Sequence, residues 1–452
     1  MSDLENNKRK SRVHDNGGKV RLQYNDGRGI KRYIAVGLST IFMGLGQLYN
    51  RQIIKGIIFL FVNVFIVFNS IPFLLESLKG LVTLGETPGE DYSNFMLVYG
   101  VISVLLALIV IGIYVFNIYD AYKNGSLRDQ GKKPPGVKKS FRKLLDSGYP
   151  YIVLSPGLIA MLFITIMPLI FTVLIGFTNY DLYHLPPKNL FEWVGISNFK
   201  EIFSMGAWRE TFFRVALWTV VWSLLSTLTT YALGAFTAVV LNNKRIKFRK
   251  IIRTLLILPW AIPGFVSILV WRGMLNKNFG ILNEILEFLF QLEPVNWLGD
   301  PFWTRTAILL VNLWLGFPYC MILITGILQS VPDDLYEAAI VDGAGPWQKF
   351  RYITMPLVWF SIAPLMIMTF AYNFNNFVMI YLLNNGGPLK FGNRGNAGST
   401  DILISWVYKL TLEKHKYNYA SAISLLIFIV LAGFSIYNFR RTRSFQEEEM
   451  LQ

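Results

Sequence analysis

Charged residues and cysteine are both scarce in this 452-residue sequence. Asp, Glu, Lys and Arg make up only 16% of it, against about 25% in an ordinary soluble domain, and they are segregated into short blocks. This argues against a large water-soluble fold. The single cysteine, Cys320, has no partner for a disulfide and lies in an apolar run, so we expect a small buried side chain.

Motifs for enzyme chemistry are also missing. The sequence contains no metal-ligand cluster, no nucleophile elbow and no phosphate-binding loop ending in Gly-Lys-Ser/Thr. The three histidines lie in predicted loops or in the N-terminal arm, and no paired carboxylates lie within apolar runs. We therefore expect no catalytic residues and no ATP hydrolysis by this chain. A membrane enzyme is disfavoured, and an ion-coupled secondary transporter is the less favoured alternative.

Long apolar runs dominate instead. Hydrophobic residues make up 53% of the sequence, and several runs exceed the ~18 residues that identify a membrane-spanning helix. The sequence predicts an all-α polytopic membrane protein with about eight spans. These lie at roughly 53–77, 95–119, 150–178, 212–242, 252–275, 303–328, 355–383 and 418–439.

Basic residues fix the expected orientation. They concentrate in the N-terminal arm, in the 120–149 and 242–250 loops and in the C-terminal tail, all on one side of an eight-span chain. Because Lys and Arg accumulate on the cytoplasmic side, both termini are predicted to be cytoplasmic. The net charge of +15 is thus a topology signal, and we expect membrane lipid and no nucleic acid as a partner.

The same pattern divides the chain into regions. Residues 1–32 are predicted to be a disordered basic cytoplasmic arm, and 33–149 an accessory region with an interfacial or re-entrant helix and two spans. A crossing of the membrane by 33–49 would place nine basic residues outside. Residues 150–440 form the expected six-span core, and 441–452 a cytoplasmic tail.

The internal loop 329–354 differs from the basic loops. Ser330 with Asp333 is typical of a capping box, and acidic residues in the first turn favour a helix there. Gly343 is predicted to end this helix in a left-handed conformation, and Gly345–Pro346 to break the chain before a second short helix that re-enters the membrane at Pro356.

This loop carries a family resemblance. Glu337-Ala338-Ala339, then Gly343, then Ile353-Thr-Met-Pro356 resembles the EAA motif of bacterial ABC importer permeases. The resemblance implies a type I ABC importer transmembrane fold with a cytoplasmic coupling helix that docks on a partner ATP-binding subunit. It assigns coupling to Glu337, Ala338, Ala339, Gly343 and Pro356. ATP and magnesium are then bound by the partner subunits, and this chain itself holds no cofactor or metal.

Two polar stripes lie in the predicted sixth and seventh spans. Asn312, Leu315, Gly316 and Tyr319 follow the i, i+3, i+4, i+7 spacing of one helix face, and so do Thr369, Tyr372, Asn373 and Asn376. Polar groups in a membrane pair with one another or line a cavity. Matching stripes with aromatic rings favour a solute path for sugars over simple helix contacts. Pro259, Pro263 and Pro318 interrupt the spans beside the stripes, and broken helices of this kind support a binding site there.

Residues 150–440 resemble, more narrowly, the larger permease subunit of maltose and maltodextrin importers. The similarity is carried by Ile257-Leu-Pro-Trp-Ala-Ile-Pro263, Asn312-Leu-Trp-Leu-Gly-Phe-Pro-Tyr319, the 333–337 run, Tyr372-Asn-Phe-Asn-Asn-Phe377 and Asn385-Gly-Gly-Pro388. It implies that Trp260 and both stripes bind the sugar. Trp260, Thr369 and Tyr372 replace the usual tyrosine, serine and phenylalanine, which leaves the sugar length open. A permease for raffinose-type or multiple sugars is the alternative.

The resemblance also implies partners. A second permease subunit, two ATP-binding subunits and an extracellular binding protein are expected in the bacterial cytoplasmic membrane. The 179–211 loop is too short for the large periplasmic domain of Gram-negative relatives. We therefore expect a Gram-positive type of system with a lipid-anchored binding protein.

Overall fold

The computed structural model describes residues 10–14, 20–24, 29–243, 246–389 and 396–441. The chain divides into two compact units. Unit 1 comprises Met1–Thr172 and His184–Glu192, and unit 2 comprises Val173–Tyr183 and Trp193–Gln452.

Unit 1 begins with a two-stranded antiparallel ladder, β1 (Lys10–His14) with β2 (Val20–Tyr24). Seven helices follow, with π-helical turns at Ile66–Ser70 and Leu162–Ile166. The helices are α1 (Ile30–Ile41), α2 (Leu45–Tyr49), α3 (Ile53–Phe65), α4 (Ile71–Thr83), α5 (Ser93–Asp129), α6 (Val137–Met161) and α7 (Met167–Ile175), the last of which continues into unit 2.

The structure of this region differs from two predictions made from the sequence. The arm predicted as disordered contains the ladder and the first residues of α1, while its other residues lie outside the described part of the chain. The basic stretch predicted as a loop over 120–149 is mostly helical, because α5 continues to Asp129 and α6 starts at Val137. The expected core boundary at residue 150 thus falls inside α6.

The segment 33–49 forms two short helices, α1 and α2, in place of one. Helix α1 has 12 residues, which span about 18 Å and cannot cross a ~30 Å hydrocarbon core. A buried polar cluster holds α2 against α5. Gln47 donates to Asp120 at 3.2 Å, and Lys55 pairs with the same carboxylate at 2.5 Å. That the segment lies at the interface or re-enters the membrane stays a prediction.

Unit 2 contains the remaining helices, with a π-helical turn at Phe350–Thr354. They are α8 (Ser197–Ser204), α9 (Gly206–Asn242), α10 (Arg249–Ala261), α11 (Gly264–Met274), α12 (Ile281–Phe290), α13 (Pro301–Ser330), α14 (Asp333–Val341), α15 (Pro346–Lys349), α16 (Met355–Phe374), α17 (Phe377–Asn384), α18 (Leu403–Leu412) and α19 (Tyr417–Arg441).

Seven helical segments among the described residues are long and apolar enough to cross a membrane, and α10 with α11 makes an eighth if the pair counts as one span. The expected number of spans is therefore confirmed. The span expected over 252–275, which Pro259 and Pro263 were predicted to interrupt, is a pair of helices bent by 92°. Pro263 lacks the N–H that would continue the helix across this bend. The seventh span ends at Phe374, before its predicted end at 383.

Helices α9 and α13 pack closely through glycine. A Cβ added to Gly234 would lie 2.5 Å from the Cβ of Cys320, and one added to Gly316 would lie 2.8 Å from Cγ2 of Thr230. Cys320 is 2% exposed, which confirms the expected burial of this side chain. Small residues at such contacts are typical of membrane helix pairs.

A buried ion pair fixes the segment before α18. Lys409 Nζ lies 2.7 Å from Asp401 Oδ2 and also donates to the carbonyl of Asn385 at 2.6 Å. Asp401 accepts further hydrogen bonds from Gly398 N and Ser405 Oγ. Arg305 on α13 donates to the carbonyl of Ser399 at 2.9 Å, so this segment is joined to the helical core.

Candidate functional site: an uncharged cavity and an exposed loop

A cavity of about 820 Å³ lies within unit 2, between residues of α9, α10, α11, α13, α16 and α17. All nine residues expected to bind sugar line it: Trp260, Asn312, Leu315, Gly316, Tyr319, Thr369, Tyr372, Asn373 and Asn376. The two predicted helical stripes therefore face one space. Their role in binding a sugar stays a prediction.

Aromatic rings form an accessible part of the cavity wall. The ring centroids of Trp260 and Tyr319 lie 6.1 Å apart. The side chains of Trp260, Tyr319 and Tyr372 are 55%, 43% and 68% exposed. These rings come from three different helices. Exposed ring faces that line a polar cavity can stack on the apolar face of a sugar ring.

The amide groups fall into two kinds. In the described part of the chain, the side chain of Asn312 makes no hydrogen bond, although the residue is only 7% exposed. Asn376 uses only its Oδ1, which accepts from Met379 N at 3.3 Å and caps α17. Asn373 instead donates Nδ2 to Thr227 Oγ1 at 3.1 Å. Asn312 and the Asn376 amino group are thus available to a ligand, while Asn373 joins α16 to α9.

Two further stripe residues also serve packing. Thr369 Oγ1 donates to the carbonyl of Leu365 and lies 3.2 Å from the hydroxyl of Tyr231. Gly316 lets α13 approach Thr230 of α9. Along the same stripe, some residues are therefore free to contact a solute, and others hold two helices together.

Other lining residues were not predicted from the sequence. Ala261, Ile262, Gly264 and Phe265 line the cavity because α10 ends at Ala261 and α11 begins at Gly264. Pro259 and Pro263 were the available signal for a broken helix. They do not by themselves indicate which residues a sharp bend turns toward the cavity.

The cavity has no charged lining residue. Its wall consists of apolar, aromatic, hydroxyl and amide side chains, together with glycine and proline. No group of three or more His, Cys, Asp or Glu that could hold a metal ion exists within the described ranges. Such a lining suits an uncharged ligand with many hydroxyl groups, which an amide can meet as donor and acceptor.

The loop between α13 and α16 contains the expected short helix, α14, followed by α15. Gly343 has φ +77°, which confirms the predicted left-handed stop, and α15 starts at Pro346. The predicted capping box is wrong. Ser330 is the last residue of α13 and donates Oγ to the carbonyl of Ile327, and Pro332 is the N-cap of α14.

The same loop is strongly exposed. Glu337, Ala338, Gly343 and Pro356 are exposed and Ala339 is half-buried. Apolar side chains nearby are also uncovered, with Val341 86% and Trp347 71% exposed. Exposed apolar side chains of this size in a loop are typical of a protein interface. The hydroxyls of Tyr336 and Thr354 lie 3.0 Å apart and join α14 to the start of α16.

Comparisons with known proteins agree with this architecture. Residues 230–442 match the family described as binding-protein-dependent transport system inner membrane component. The chain is 44% identical to the galactooligosaccharides transport system permease protein GanP of Bacillus subtilis (strain 168), over 92% of this chain and 99% of that protein. It is 41% identical to the maltodextrin transport system permease protein MdxF of the same organism, over 92% of this chain and 97% of that protein.

A solved structure shares the fold. It is the crystal structure of a bacterial ABC transporter involved in the import of the acidic polysaccharide alginate, which superposes with a TM-score of 0.56 at 22% identity. The match covers 67% of this chain and 98% of that one. This likeness confirms the expected importer-type transmembrane fold and carries no argument about substrate.

Proposed function

We propose that this chain is the larger permease subunit of an ABC importer and translocates maltose or maltodextrins. The chain belongs to the family of binding-protein-dependent transport system inner membrane components. The substrate assignment rests on the uncharged cavity, which Trp260, Asn312, Tyr319 and Asn376 line together. Its aromatic faces and unpaired amide groups match the apolar faces and hydroxyls of a neutral oligosaccharide.

A galacto-oligosaccharide is the second candidate. The relative named for galactooligosaccharides is 44% identical to this chain, and the one named for maltodextrin 41%. The cavity chemistry described above fits either sugar, because both are neutral and rich in hydroxyl groups. Maltodextrin is placed first because of the motif resemblance of residues 150–440 to maltose and maltodextrin permeases.

The coupling partners are proposed from the exposed loop. Helix α14, with Glu337, Ala338 and half-buried Ala339, docks on a partner ATP-binding subunit that hydrolyses ATP with magnesium. Two such subunits, a second permease subunit and an extracellular lipid-anchored binding protein complete the importer. Closure of the ATP-binding subunits moves α14, and the Tyr336–Thr354 contact transmits the movement to α16.

Reconstitution tests the substrate. The chain is placed in proteoliposomes with its partner permease, the ATP-binding subunits and the binding protein, and ATPase activity is measured with added sugar. We expect stimulation by maltotriose and longer maltodextrins and none by an acidic alginate oligosaccharide. Stimulation by galacto-oligosaccharides alone would replace the maltodextrin assignment with the second candidate.

Surface labelling tests the orientation. A cysteine introduced into the 1–32 arm is expected to resist an impermeant thiol reagent in intact cells, because the basic segments favour a cytoplasmic location of both termini. The native Cys320 is 2% exposed and gives little background. Labelling of the arm in intact cells would reverse the proposed topology.

A further inference from the structure

A second polar cavity, about 600 Å³ in volume, lies where α9 and α13 end and α10 begins. Three cationic side chains line it, Arg249, Lys250 and Arg253, and Asp333 is the one acidic residue among the described residues of its lining. These residues give the lining a formal charge of +2, from three cations and one carboxylate. We call this cavity the basic pocket. Its described lining shares no residue with the uncharged cavity.

The cations of the basic pocket are poorly compensated by the described part of the chain. There, Arg253 makes no hydrogen bond or ion pair, and its Nε is enclosed and unpaired. Arg249 has one long hydrogen bond, from Nη1 to the carbonyl of Asn242 at 3.5 Å. An enclosed guanidinium nitrogen without a partner is costly. An anionic group in the pocket would supply the missing acceptors.

The helix that faces these cations does not neutralise them. The C-terminal end of α13 carries the negative end of the helix dipole, and its last residues, Leu328 to Ser330, line the pocket. Yet within the described ranges none of the three cations donates to their carbonyls, and none lies within ion-pair distance of Asp333. A role in holding α10 against α13 therefore explains the cations poorly.

The chain itself contains a segment of the opposite charge. Glu447, Glu448 and Glu449 form the one run of three consecutive acidic residues in a sequence whose net charge is +15. They follow α19, which ends at Arg441. The acidic run 447–449 thus begins six residues beyond the end of that helix and ends eight residues beyond it.

The end of α19 lies on the same side of the helical bundle as the basic pocket. The loop that follows α13 leads into α16, which crosses the bundle, and α19 then returns across it. Both the pocket and α19 belong to unit 2.

The distance between the two is within reach of the chain. Helix α16 packs on α9 through the Asn373–Thr227 hydrogen bond and on α19 through Phe370 and Phe434, whose ring centroids lie 5.0 Å apart. Neighbouring helices lie about 8–10 Å apart, so two such steps are roughly 20 Å. Six to eight extended residues span about 20–29 Å, which is enough to bring the acidic run to the pocket.

We propose that the basic pocket binds the acidic run 447–449 of this same chain. Its carboxylates accept charge-assisted hydrogen bonds from the three cations, and the enclosed guanidinium of Arg253 gains the partner that it lacks. Val331 and Pro332, which join α13 to α14, also line the pocket. The bound run therefore contacts the segment that leads into the exposed loop. This interaction does not depend on which sugar the protein carries.

A local ion pair accounts for the acidic run less well. Arg443 lies four residues before Glu447, a spacing that would give one weak pair on a helix. That pair would leave two carboxylates of the run, and all three cations of the pocket, without a partner of opposite charge.

Disulfide crosslinking in the full chain tests the proposal. Gln329→Cys places a thiol on an exposed, neutral lining residue of the pocket, and Gln446→Cys places one directly before the acidic run, so that every charge is retained. Because a disulfide requires Cα atoms within about 7 Å, we expect mild oxidation to join the two, as shown by mass spectrometry of proteolytic peptides. Val341→Cys replaces an 86% exposed residue of α14 outside the pocket. This matched control should crosslink to Gln446→Cys roughly tenfold more slowly, the equivalent of about 1.4 kcal/mol.

The rate of crosslinking should follow the charges. Lys250→Gln should slow the Gln329→Cys crosslink by roughly fivefold, the equivalent of about 1 kcal/mol for one ion pair. Lys250 is exposed, so this variant should fold even if Arg253→Gln does not. Lys247→Gln, which removes an exposed lysine outside the pocket, should leave the rate unchanged. Replacement of all three glutamates of the run by glutamine should lower the rate to that of the Val341→Cys control.

Three outcomes would overturn the proposal. The first is equal crosslinking at Gln329→Cys and Val341→Cys, or a rate that loss of the three glutamates does not change. The second is crosslinking at the control level together with a rise in melting temperature on addition of inorganic phosphate that Lys250→Gln abolishes, which would assign the pocket to free phosphate. The third is crosslinking at the control level together with loss of a co-purifying ATP-binding subunit in Lys250→Gln, which would assign the pocket to an acidic segment of that partner.

Discussion

Trp260 on α10 and Tyr319 on α13 hold their ring centroids 6.1 Å apart, with the ring planes tilted by 42°. Trp260 belongs to the bent helix pair and Tyr319 to α13, and both rings line the uncharged cavity. A sugar that enters this cavity therefore encounters both rings, and the pair offers a direct test of the binding surface.

Removal of one ring should weaken sugar binding without loss of the fold. Tyr319 is 43% exposed, so Tyr319→Ala opens the cavity and leaves no buried void. We expect a loss of about 1.5 kcal/mol in sugar binding, or roughly a tenfold rise in the sugar concentration for half-maximal ATPase stimulation. Tyr149→Ala, which removes a 62% exposed tyrosine outside the cavity, should have no effect. Equal responses from both variants would remove Tyr319 from the site.

The two kinds of amide should separate binding from stability. Asn312→Ala removes an amide with no protein partner among the described residues, so we expect impaired uptake and an unchanged melting temperature. Asn373→Ala breaks the 3.1 Å hydrogen bond to Thr227 and should lower the free energy of unfolding by about 1 kcal/mol. A thiol-reactive dye reports unfolding, because Cys320 is buried. A lower melting temperature in Asn312→Ala, with an unchanged one in Asn373→Ala, would contradict the assignment of Asn312 to binding and Asn373 to stability.

The contact between Gly316 and Thr230 predicts that a second substitution can restore the stability lost by a first. Gly316→Ala would place a Cβ 2.8 Å from Thr230 Cγ2, and over-packing of this kind costs about 1–3 kcal/mol. Thr230→Ser removes the methyl group that clashes. The double variant should therefore regain most of the lost melting temperature. If it stays as unstable as Gly316→Ala alone, the defect has another origin.

The Asp401–Lys409 pair should be sensitive to the loss of one partner. Their side chains are 0% and 5% exposed, so Asp401→Asn leaves a buried ammonium group without its counter-charge. Such a change costs about 3–5 kcal/mol, measured as a lower melting temperature. Asp401→Asn combined with Lys409→Met removes both charges and should be more stable than the single variant. Additive losses in the double variant would show that the two charges do not interact.

The exposed loop should control coupling and not folding. Glu337→Lys changes an exposed side chain on α14. We expect a native melting temperature and no sugar-stimulated ATPase activity in the reconstituted importer. Glu284→Lys reverses an acidic residue on α12 that is also exposed and should retain stimulation. Full coupling in the Glu337→Lys variant would refute the docking role of α14.

The parts of the site that follow local spacing could be predicted from the sequence. Asn312 and Tyr319, or Thr369 and Asn376, are seven residues apart on one helix, and helical geometry alone places them on one face. Which amide is free could not be predicted, because the partner of Asn373 is Thr227, 146 residues away. Sequence spacing carries no signal for such a contact.

The same distinction applies to the fold. Apolar run lengths predicted the spans, and Gly343 predicted the end of α14. The Asp401–Lys409 pair was missed because Asp401 lies before α18, where no helical register links the two residues. The predicted capping role of Ser330 was wrong for a related reason. Helix α13 continues to Ser330, so that the hydroxyl was already engaged by the carbonyl of Ile327.

The 92° bend between α10 and α11 has a consequence for how this protein can change its substrate. The last carbonyl groups of a helix have no intrahelical partner. Three of those at the end of α10 belong to residues that line the cavity, Pro259, Trp260 and Ala261. Main-chain acceptors cannot be deleted by substituting side chains. Substitutions that replace the amide side chains of the cavity therefore leave these main-chain acceptors of its lining residues in place.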